Sequence, residues 1–486
     1  MSRREWGFYG RREELDLLTR ILSRNRWFFV RITGRRRIGK TSLVQEALKA
    51  LQRQKVLYVQ IPDSDPAGVV STVREFFSMF GVVGPEPRDL RSLAARIGTL
   101  VRDGWVVALD EFQYFHRASL FEFTSHLQYE VDRLARDAAN VQGGLVVLGS
   151  IHTEMAALLE DRSAPLFNRV TDSIDLPHLD LASVLEILRS HADTDPYRLL
   201  FLWNLFEGVP KFYRDCHEQD VLDKDRRTLL KRMFFTSSSP LRHEADNWFL
   251  RELRGRYDLV LKYVARHPGC TNRDVQEHVR SVDPSSEKQV GGYIKVLRER
   301  YGMIERLQPV FARPTERNGR FYIRDNFLRS WLAALSVPAA SVNFRPMDAL
   351  VEEADQRLEA AEGRGLEQLA ATLYEERSRK GKGGFQLTSR ICGYWDRQGT
   401  EVDLVALDEE SRTVRLGTCK RSEEKLLSHL GEFDGHVERF LAGMRRFQDW
   451  TVEKVAIAPR LGDRARQVIR SRGYIPEDLE DLTRDL

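Results

Sequence analysis

The sequence contains little cysteine, no long apolar run and no excess of one charge. Its 486 residues include four cysteines, which are scattered without a short C-x-x-C spacing, so neither a zinc ribbon nor a disulfide framework is expected. No apolar run approaches the roughly 20 residues of a membrane helix, and the charged N-terminus does not resemble a signal peptide. The 76 Lys and Arg residues nearly balance the 72 Asp and Glu residues, so the net charge of +4 identifies no partner. We therefore expect a soluble, cytoplasmic chain that has no membrane partner.

The length and composition predict several folded domains. At roughly 100–200 residues per domain, the chain corresponds to two to four domains. Hydrophobic residues make up 42% of the chain and charged residues 30%, which excludes a mostly disordered protein. The predicted domains are an α/β core over 1–180, a helical lid over 181–250, a three-helix and β-hairpin region over 251–335, and a second α/β domain over 349–486. The stretch 336–348 is predicted to be a linker.

The core region alternates short apolar runs with amphipathic stretches. Its predicted strands are residues 27–32, 56–61, 105–109 and 145–148. Strands that alternate with helices at this spacing predict a parallel, doubly wound sheet.

Two further regions of the chain have different patterns of predicted helices and strands. Helices are predicted at 258–266, 272–279 and 285–300, followed by strands at 303–311 and 320–323. Three helices and a hairpin are the elements of a winged helix-turn-helix. In the last region, strands are predicted at 384–391, 401–407, 413–419 and 455–458.

A glycine-rich loop is the strongest motif. It reads Gly34-Arg35-Arg36-Arg37-Ile38-Gly39-Lys40-Thr41, follows a predicted strand and is continued by Ser42 into a predicted helix. This context fits the phosphate-binding pattern G-x-x-x-x-G-K-[ST], whose glycines let backbone N–H groups face a phosphate. The segment from Gly34 to Ser42 is therefore predicted to bind ATP, with Lys40 on the β- and γ-phosphates and Thr41 on Mg²⁺. A chance glycine loop is the alternative.

Two acids end an apolar strand about seventy residues after this loop. Asp110 and Glu111 follow the predicted strand 105–109. In a P-loop fold the first acid supports Mg²⁺ through water, and the second orients the attacking water. Ser150 ends the next strand and is predicted to sense the γ-phosphate, although a plain strand-ending turn fits the same letters.

Three segments combine into a more specific pattern. They are Phe8-Tyr9-Gly10-Arg11-Arg12-Glu13-Glu14-Leu15, the loop with its flanks from Thr33 to Ser42, and Leu109-Asp110-Glu111-Phe112-Gln113. Together they resemble the archaeal-type ATPases, a P-loop family related to the AAA+ and STAND groups.

This resemblance implies further roles over about the first 250 residues. Phe8, Tyr9, Gly10 and Arg11 would line the adenine pocket. Gly208-Val209-Pro210-Lys211 would form the turn of the helical lid. Arg169, in the segment Pro165-Leu166-Phe167-Asn168-Arg169, would act as an arginine finger, although an exposed surface arginine fits the same segment.

The predicted winged helix carries basic residues on its third helix and on its wing. They are Lys288, Lys295, Arg298, Arg300, Arg313, Arg317 and Arg320. Such residues suit phosphate contacts along a DNA groove. Basic residues on a solvated helix face are also ordinary, and winged helices often bind proteins, so both interpretations remain open.

The C-terminal region places three polar residues in a helix, strand, strand order. Glu367 lies on a predicted helix, Asp403 in a predicted strand, and Lys420 at the end of the next strand. This order resembles the PD-(D/E)XK core of restriction-endonuclease-like domains, in which the acids hold Mg²⁺ and the lysine orients water. Thr418 stands where the motif has another acid, and Mg²⁺ prefers anionic ligands. An active nuclease and a degenerate, nucleic-acid-binding domain are both open.

These observations predict an ATP hydrolase that couples its nucleotide state to the winged helix and the nuclease-like domain, on or near DNA. The alternatives are a STAND-type switch that holds ATP and signals through its oligomeric state, and a non-catalytic DNA-binding regulator. An arginine acting in trans would require neighbouring copies, so a homo-oligomer is also open.

Overall fold

The computed structural model divides the chain into two compact units. It describes residues 5–50, 55–150, 152–245, 257–313 and 318–486. The N-terminal unit comprises Gly7–Leu179 and Val209–Lys211. The C-terminal unit comprises Met1–Trp6, Asp180–Gly208 and Phe212–Leu486.

The N-terminal unit is a parallel sheet with helices between its strands. Its helices are α1 (Arg12–Leu22), α2 (Lys40–Ala50), α3 (Pro66–Met79), α4 (Leu90–Arg102), α5 (Glu122–Arg136) and α6 (His152–Leu159). Its strands are β1 (Phe28–Gly34), β2 (Val56–Gln60), β3 (Val106–Asp110), β4 (Gly144–Gly149) and β5 (Asp172–Leu176). The strand order is β2-β3-β4-β1-β5, and every neighbouring pair runs parallel. The predicted α/β fold with a parallel sheet is confirmed.

The burial of their residues explains which of these strands can be predicted from apolar runs in the sequence. Every residue of β3 and β4 is buried, as expected for central strands of a parallel sheet. Strand β5 is not predicted, because it is an edge strand in which only Ile174 and Leu176 are buried. Parallel strands end at the same edge of the sheet, so the loop after β1 and the acids after β3 meet there.

The C-terminal unit begins with helices. The first four are α7 (Leu181–His191), α8 (Pro196–Phe206), α9 (Pro210–Glu218), whose first two residues belong to the N-terminal unit, and α10 (Arg226–Leu230). A π-helical turn, Lys231–Phe235, follows α10.

Three helices and a hairpin follow, as predicted for a winged helix. They are α11 (Tyr257–Arg266), α12 (Asn272–Val282), α13 (Val290–Glu299) and the antiparallel strands β6 (Ile304–Leu307) and β7 (Arg320–Ile323). The single helix predicted at 285–300 is wrong in its first turn, where Pro284–Gln289 is a 3₁₀ helix. The cause lies in Asp283, whose carboxylate accepts hydrogen bonds from the N–H and the hydroxyl of Ser285 and so forms a local turn.

The last region contains a second five-stranded sheet. Its elements are α14 (Asn326–Ser330), α15 (Ser336–Ala340), α16 (Met347–Arg379), β8 (Cys392–Trp395), β9 (Glu401–Asp408), β10 (Thr413–Cys419), α17 (Glu423–Gly443), β11 (Thr451–Ala458), α18 (Asp463–Ser471), β12 (Tyr474–Asp478) and α19 (Leu479–Thr483). The order is β12-β11-β10-β9-β8. Strands β8, β9 and β10 pair antiparallel, whereas β10, β11 and β12 pair parallel.

Two predictions for this region are wrong. The strand predicted at 384–391 is irregular, and the strand lies instead at β8. The N–H groups of Leu387 and Ile391 bond to Ser378 Oγ and to the Glu375 carboxylate on α16, so they are not available to a strand partner. The stretch 336–348 is not an extended linker, because α15 continues from the π-helical turn Trp331–Leu335 and α16 already begins at Met347.

No helix within the described ranges is both long enough and apolar enough to cross a membrane.

Candidate functional site

The loop between β1 and α2 has the backbone shape of an anion-binding nest. Gly34, Arg37 and Gly39 have φ values of +153°, +67° and +97°. A Cβ atom at Gly34 would lie 2.8 Å from the Leu176 carbonyl oxygen, so this position requires glycine. Backbone N–H groups that turn inward in this way attract phosphate oxygens, as do the N–H groups at the start of the following helix.

Lys40 lies inside this loop and contacts the neighbouring strand tip. Its Nζ donates to the carbonyl oxygens of Gly34 at 3.0 Å and Arg35 at 3.2 Å, and to Ser150 Oγ at 2.8 Å. The side chain is buried, with a residue exposure of 6%. The structure therefore places Lys40 and Ser150 together, as the sequence predicts for two groups that act on one phosphate.

Burial also changes the charge state of Lys40. It lowers the pKa of the amine from 10.5 to about 8, and the nearby carboxylates of Asp110 and Glu111 only partly offset this effect. A bound anion would restore the charged form, so phosphate binding and protonation of Lys40 are coupled.

Thr41 and Asp110 form the predicted magnesium-binding pair. Thr41 Oγ1 donates to Asp110 Oδ2 at 2.8 Å, and Asp110 is buried. The Tyr58 hydroxyl, from β2, also donates to Asp110 Oδ2 and lies 3.3 Å from Thr41 Oγ1. The arrangement offers only oxygen atoms, which Mg²⁺ prefers, so these residues fit the ion. Tyr58 is not among the predicted site residues. The feature of the sequence that could have identified it is a tyrosine hydroxyl near the carboxyl end of a predicted strand.

Glu111 is held by a residue that has no predicted role. Glu111 has a left-handed backbone with φ +57°, and its Oε2 accepts a hydrogen bond from Gln113 Nε2. Gln113 Oε1 in turn accepts from the Ser150 N–H at 3.3 Å. Since Ser150 Oγ also accepts from Lys40, hydrogen bonds run from Lys40 through the hydroxyl and the backbone N–H of Ser150 to Gln113 and Glu111. Gln113 is buried in the structure. The feature of the sequence that could have identified it is a polar residue two positions after the second acid.

The N-terminal segment lies against the back of the loop. Gly10 and Arg11 both have left-handed backbones, with φ +64° and +60°. Arg11 NH2 lies 3.4 Å from the Ile38 carbonyl oxygen and also donates to the Pro177 carbonyl oxygen. Phe8 and Tyr9, predicted to line the adenine pocket, are half-buried beside this turn. Arg11 thus fixes the segment to the loop.

The remaining predicted loop residues differ in exposure. Arg36 and Ser42 are exposed, whereas Ile38 is fully buried beneath the loop. Arg35 and Arg37 are half-buried. Exposed arginines beside an anion nest add positive potential without forming its walls.

Arg169 is engaged within its own unit. Its Nε and NH2 atoms donate to the two carboxylate oxygens of Asp132 on α5, at 2.7 and 3.0 Å. Its NH1 donates to the Phe167 carbonyl oxygen at 2.9 Å. This bidentate pair orients the guanidinium, and an arginine-finger role for Arg169 stays a prediction.

In the C-terminal sheet, Asp403 and Lys420 come together. Lys420 Nζ lies 3.5 Å from Asp403 Oδ2. The same oxygen accepts from Thr418 Oγ1 at 3.0 Å and from the Cys419 N–H at 2.8 Å. Thr418, at the position of the missing acid, therefore acts as a hydrogen-bond donor to Asp403 and supplies no negative charge.

Glu367, on α16, completes the predicted set. Burial and the charge of Asp403 raise its pKa to about 7, against the opposing effects of Arg364 and Lys420. Arg364 NH1 donates to Glu367 Oε2 at 2.6 Å. Among the described residues, no three His, Cys, Asp or Glu side chains are grouped to hold a metal. The two acids and Thr418 therefore provide fewer anionic ligands than the motif expects.

The basic residues of the predicted winged helix are partly neutralised. On α13, Lys295 Nζ and Arg298 NH2 lie 4.0 and 2.6 Å from the Glu299 carboxylate. On β7, Arg320 NH1 pairs with Glu401 of β9 at 2.6 Å. Arg317 lies outside the described residues.

Comparisons with known proteins identify the class of the N-terminal unit. Residues 28–149 match the family described as "AAA domain". They contain the loop, both strand-end acids and the sheet strands that carry them, so the likeness to an AAA-type domain covers the whole candidate nucleotide site. The predicted resemblance to AAA-related P-loop ATPases is confirmed.

A second family matches part of the C-terminal unit, and a curated relative matches most of the chain. Residues 331–430 match a family described as "Archaea bacterial proteins of unknown function". A curated relative, the uncharacterized protein MJECL04 of Methanocaldococcus jannaschii, is 24% identical over 407 residues, which are 83% of this chain and 85% of the relative.

Solved structures also resemble the chain. The walker-type ATPase PABY2304 of Pyrococcus abyssi is 18% identical, with 68% of this chain and 97% of that chain covered and a TM-score of 0.48. The ORC2 protein of Aeropyrum pernix is 15% identical, with 72% and 94% covered and a TM-score of 0.46.

Proposed function

We propose that the N-terminal unit binds ATP with Mg²⁺ and hydrolyses it. One observation carries this proposal: hydrogen bonds connect Lys40 to Glu111 through Ser150 and Gln113. The Ser150 hydroxyl accepts from Lys40, and the Ser150 backbone N–H donates to Gln113. A loop that only held an anion would need the lysine but would not need a positioned carboxylate on the facing strand.

Each residue has a distinct task in this reaction. Lys40 and the loop N–H groups bind the phosphates and balance their charge. Glu111 orients the attacking water, and Gln113 holds the Glu111 carboxylate in one position. Thr41 and Asp110 would hold Mg²⁺, which supplies neutralisation of the charge on the phosphate oxygens when it is bound.

We also propose that the nucleotide state reaches the C-terminal unit through residues 209–211, which include the first two residues of α9. These residues belong to the N-terminal unit, whereas α8 and the rest of α9 belong to the C-terminal unit. Pro210 is near the loop, since a Cβ atom at Gly39 would lie 3.8 Å from its ring. A shift of these residues on nucleotide binding would therefore pass along the chain into both helices.

The C-terminal unit is proposed to act on DNA through the winged helix and the nuclease-like site. The exposed Lys295 and Arg298 support contacts with phosphates, and the pair Asp403–Lys420 supports the nuclease-like assignment. A second candidate, a binding domain that does not cut, is favoured by one observation: Thr418 replaces an acid with a neutral donor.

Hydrolysis of ATP by Glu111→Gln tests the first proposal. This variant should bind ATP as the parent does but turn it over at least about 100-fold more slowly, because the water is no longer oriented by a carboxylate. Unchanged turnover would contradict the proposed role of Glu111 in orienting the water.

Magnesium-dependent cleavage of plasmid DNA separates the two C-terminal candidates. The parent and Asp403→Ala are compared with and without ATP. Cleavage of the plasmid by the parent but not by Asp403→Ala supports a nuclease. Equal absence of cleavage, together with DNA binding that weakens steeply with salt and in Lys295→Ala, supports the binding domain.

A further inference from the structure

A cavity lies between the β6–β7 hairpin region and the C-terminal sheet. It has a volume of about 210 Å³. One wall comes from the predicted winged helix, with Pro268, Arg320 and Tyr322. The opposite wall includes Glu367 and Asp403, the two acids of the nuclease-like site. The cavity therefore contains both acids of that site, and the predicted winged helix supplies part of its lining.

Three contacts fix the hairpin region to the sheet around this cavity. Arg320 NH1 pairs with the Glu401 carboxylate at 2.6 Å. Trp395 Nε1 donates to the Asn318 carbonyl oxygen at 2.8 Å. The Val310 N–H donates to the Gly393 carbonyl oxygen at 2.9 Å. The two walls thus form one preorganised pocket.

Two guanidinium groups in the walls are held by aromatic rings. Arg364 lies 4.6 Å from the Tyr322 ring centroid, and Arg320 lies 4.7 Å from the Trp395 ring centroid. The Arg364 Nε atom is buried and has no hydrogen-bond partner among the described residues. A guanidinium has five N–H donors and matches the geometry of phosphate oxygens, and the Arg364 side chain as a whole is partly exposed and lines the cavity.

The charges of the pocket are balanced. Glu401 is paired with Arg320, Glu367 with Arg364, and Asp403 with Lys420. The acids therefore do not leave a net negative field that would repel a phosphodiester. Trp395, which is half-buried and lines the cavity, offers an aromatic ring beside these pairs for contact with a base.

Size decides between the forms of nucleic acid. A cavity of about 210 Å³ has room for a small group such as one nucleobase or one sugar phosphate. A double helix is far too wide to enter. Only an unpaired strand could bring a phosphodiester past the hairpin to Asp403.

We propose that this cavity binds one nucleotide of an unpaired DNA strand, with Arg320 and Arg364 on its phosphates and Trp395 against its base. The inference rests on the proposed action on DNA and makes it more specific. The hairpin then selects strand ends and single-stranded segments over intact duplex at the nuclease-like site.

The test measures binding of a fluorescent oligothymidylate and of a duplex of equal length to the full chain, in EDTA so that no cleavage occurs. Arg364→Gln and Arg320→Gln should each weaken strand binding by about tenfold or more, because each removes a charge-assisted hydrogen bond. Pro268→Trp should weaken it as well, since it fills the entrance without removing a charge. The matched control is Arg379→Gln, an exposed arginine of the same helix as Arg364, which should leave the affinity unchanged.

Thermal melting of each variant shows whether it is folded, and Pro268→Trp keeps the test valid if an arginine variant is not. Strand binding that none of the three variants weakens would overturn the proposal while leaving DNA binding intact. Equal weakening of strand and duplex binding would also overturn it. Absence of any DNA binding by the parent would instead reject the proposed action on DNA, and ATP hydrolysis by the same preparations would still be measured independently.

Discussion

The buried Lys40 makes nucleotide binding depend on pH in a defined window. Its pKa is lowered to about 8, so the amine loses its proton as pH rises through 8 and the phosphates lose their main cation. About 90% of the protein carries protonated Lys40 at pH 7 and about 9% at pH 9. If only the protonated form binds tightly, the Kd for ATP weakens about tenfold over this range, which equals about 1.4 kcal/mol.

Isothermal titration calorimetry in two buffers of different ionisation enthalpy measures this coupling directly. ATP restores the charged amine, so binding at pH 8 should take up about half a proton per ATP, and binding at pH 7 about a tenth. Lys40→Met serves as the control and should lose tight binding at every pH. Tight binding at pH 8 without proton uptake would refute the proposed burial of the amine.

Three substitutions test contacts that the structure reveals, two at the nucleotide site and one at the start of α7. Gln113→Ala should lower kcat for ATP hydrolysis by about 10–100-fold with the Kd for ATP nearly unchanged, because Glu111 loses the donor that positions it. Tyr58→Phe should raise the Mg²⁺ concentration needed for half-maximal hydrolysis by about tenfold, since Asp110 loses a supporting hydrogen bond. Glu376→Ala should reduce the free energy of unfolding by about 1–3 kcal/mol in chemical denaturation, because its carboxylate accepts the first N–H groups of α7.

Each of these three predictions would be contradicted by a specific outcome. An equal loss of ATP affinity in Gln113→Ala would indicate a role in binding and not in positioning. An unchanged Mg²⁺ requirement in Tyr58→Phe would make that hydroxyl irrelevant to the metal. Gln356→Ala, an exposed residue on the same helix as Glu376, is the stability control, and equal effects of both would rule out the helix cap.

Local motifs explain how much of the nucleotide site could be predicted. The phosphate loop is continuous in sequence, so Gly34, Lys40 and Thr41 are recognisable from spacing alone. Asp110 and Glu111 are recognisable because they end a buried apolar strand. Parallel topology then requires their strand ends to meet at one edge of the sheet, and Thr41 and Asp110 do meet there.

Contacts between distant parts of the chain account for what could not be predicted. Tyr58 reaches Asp110 only because β2 and β3 are neighbours, and Gln113 reaches Ser150 only because β4 lies beside β3. The prediction of a strand at 384–391 is wrong because of contacts of the same kind. Its apolar residues favour a strand, but Ser378 and Glu375 of α16 take its N–H groups.

The C-terminal cavity depends on tertiary structure entirely. Arg320 and Arg364 are separated by more than forty positions and carry no motif. Their common feature, an aromatic ring beneath each guanidinium, appears only when β7 packs beside α16 and β8. The pairing of Arg320 with Glu401 of β9 also could not be predicted from the position of Arg320 in the wing.

Hydrolysis of ATP by the parent and by Lys40→Ala tests the central claim most directly. The account predicts magnesium-dependent release of phosphate by the parent and neither tight ATP binding nor hydrolysis by the variant, because the only change is the amine that bonds to Gly34, Arg35 and Ser150. Turnover by Lys40→Ala at the rate of the parent would contradict it.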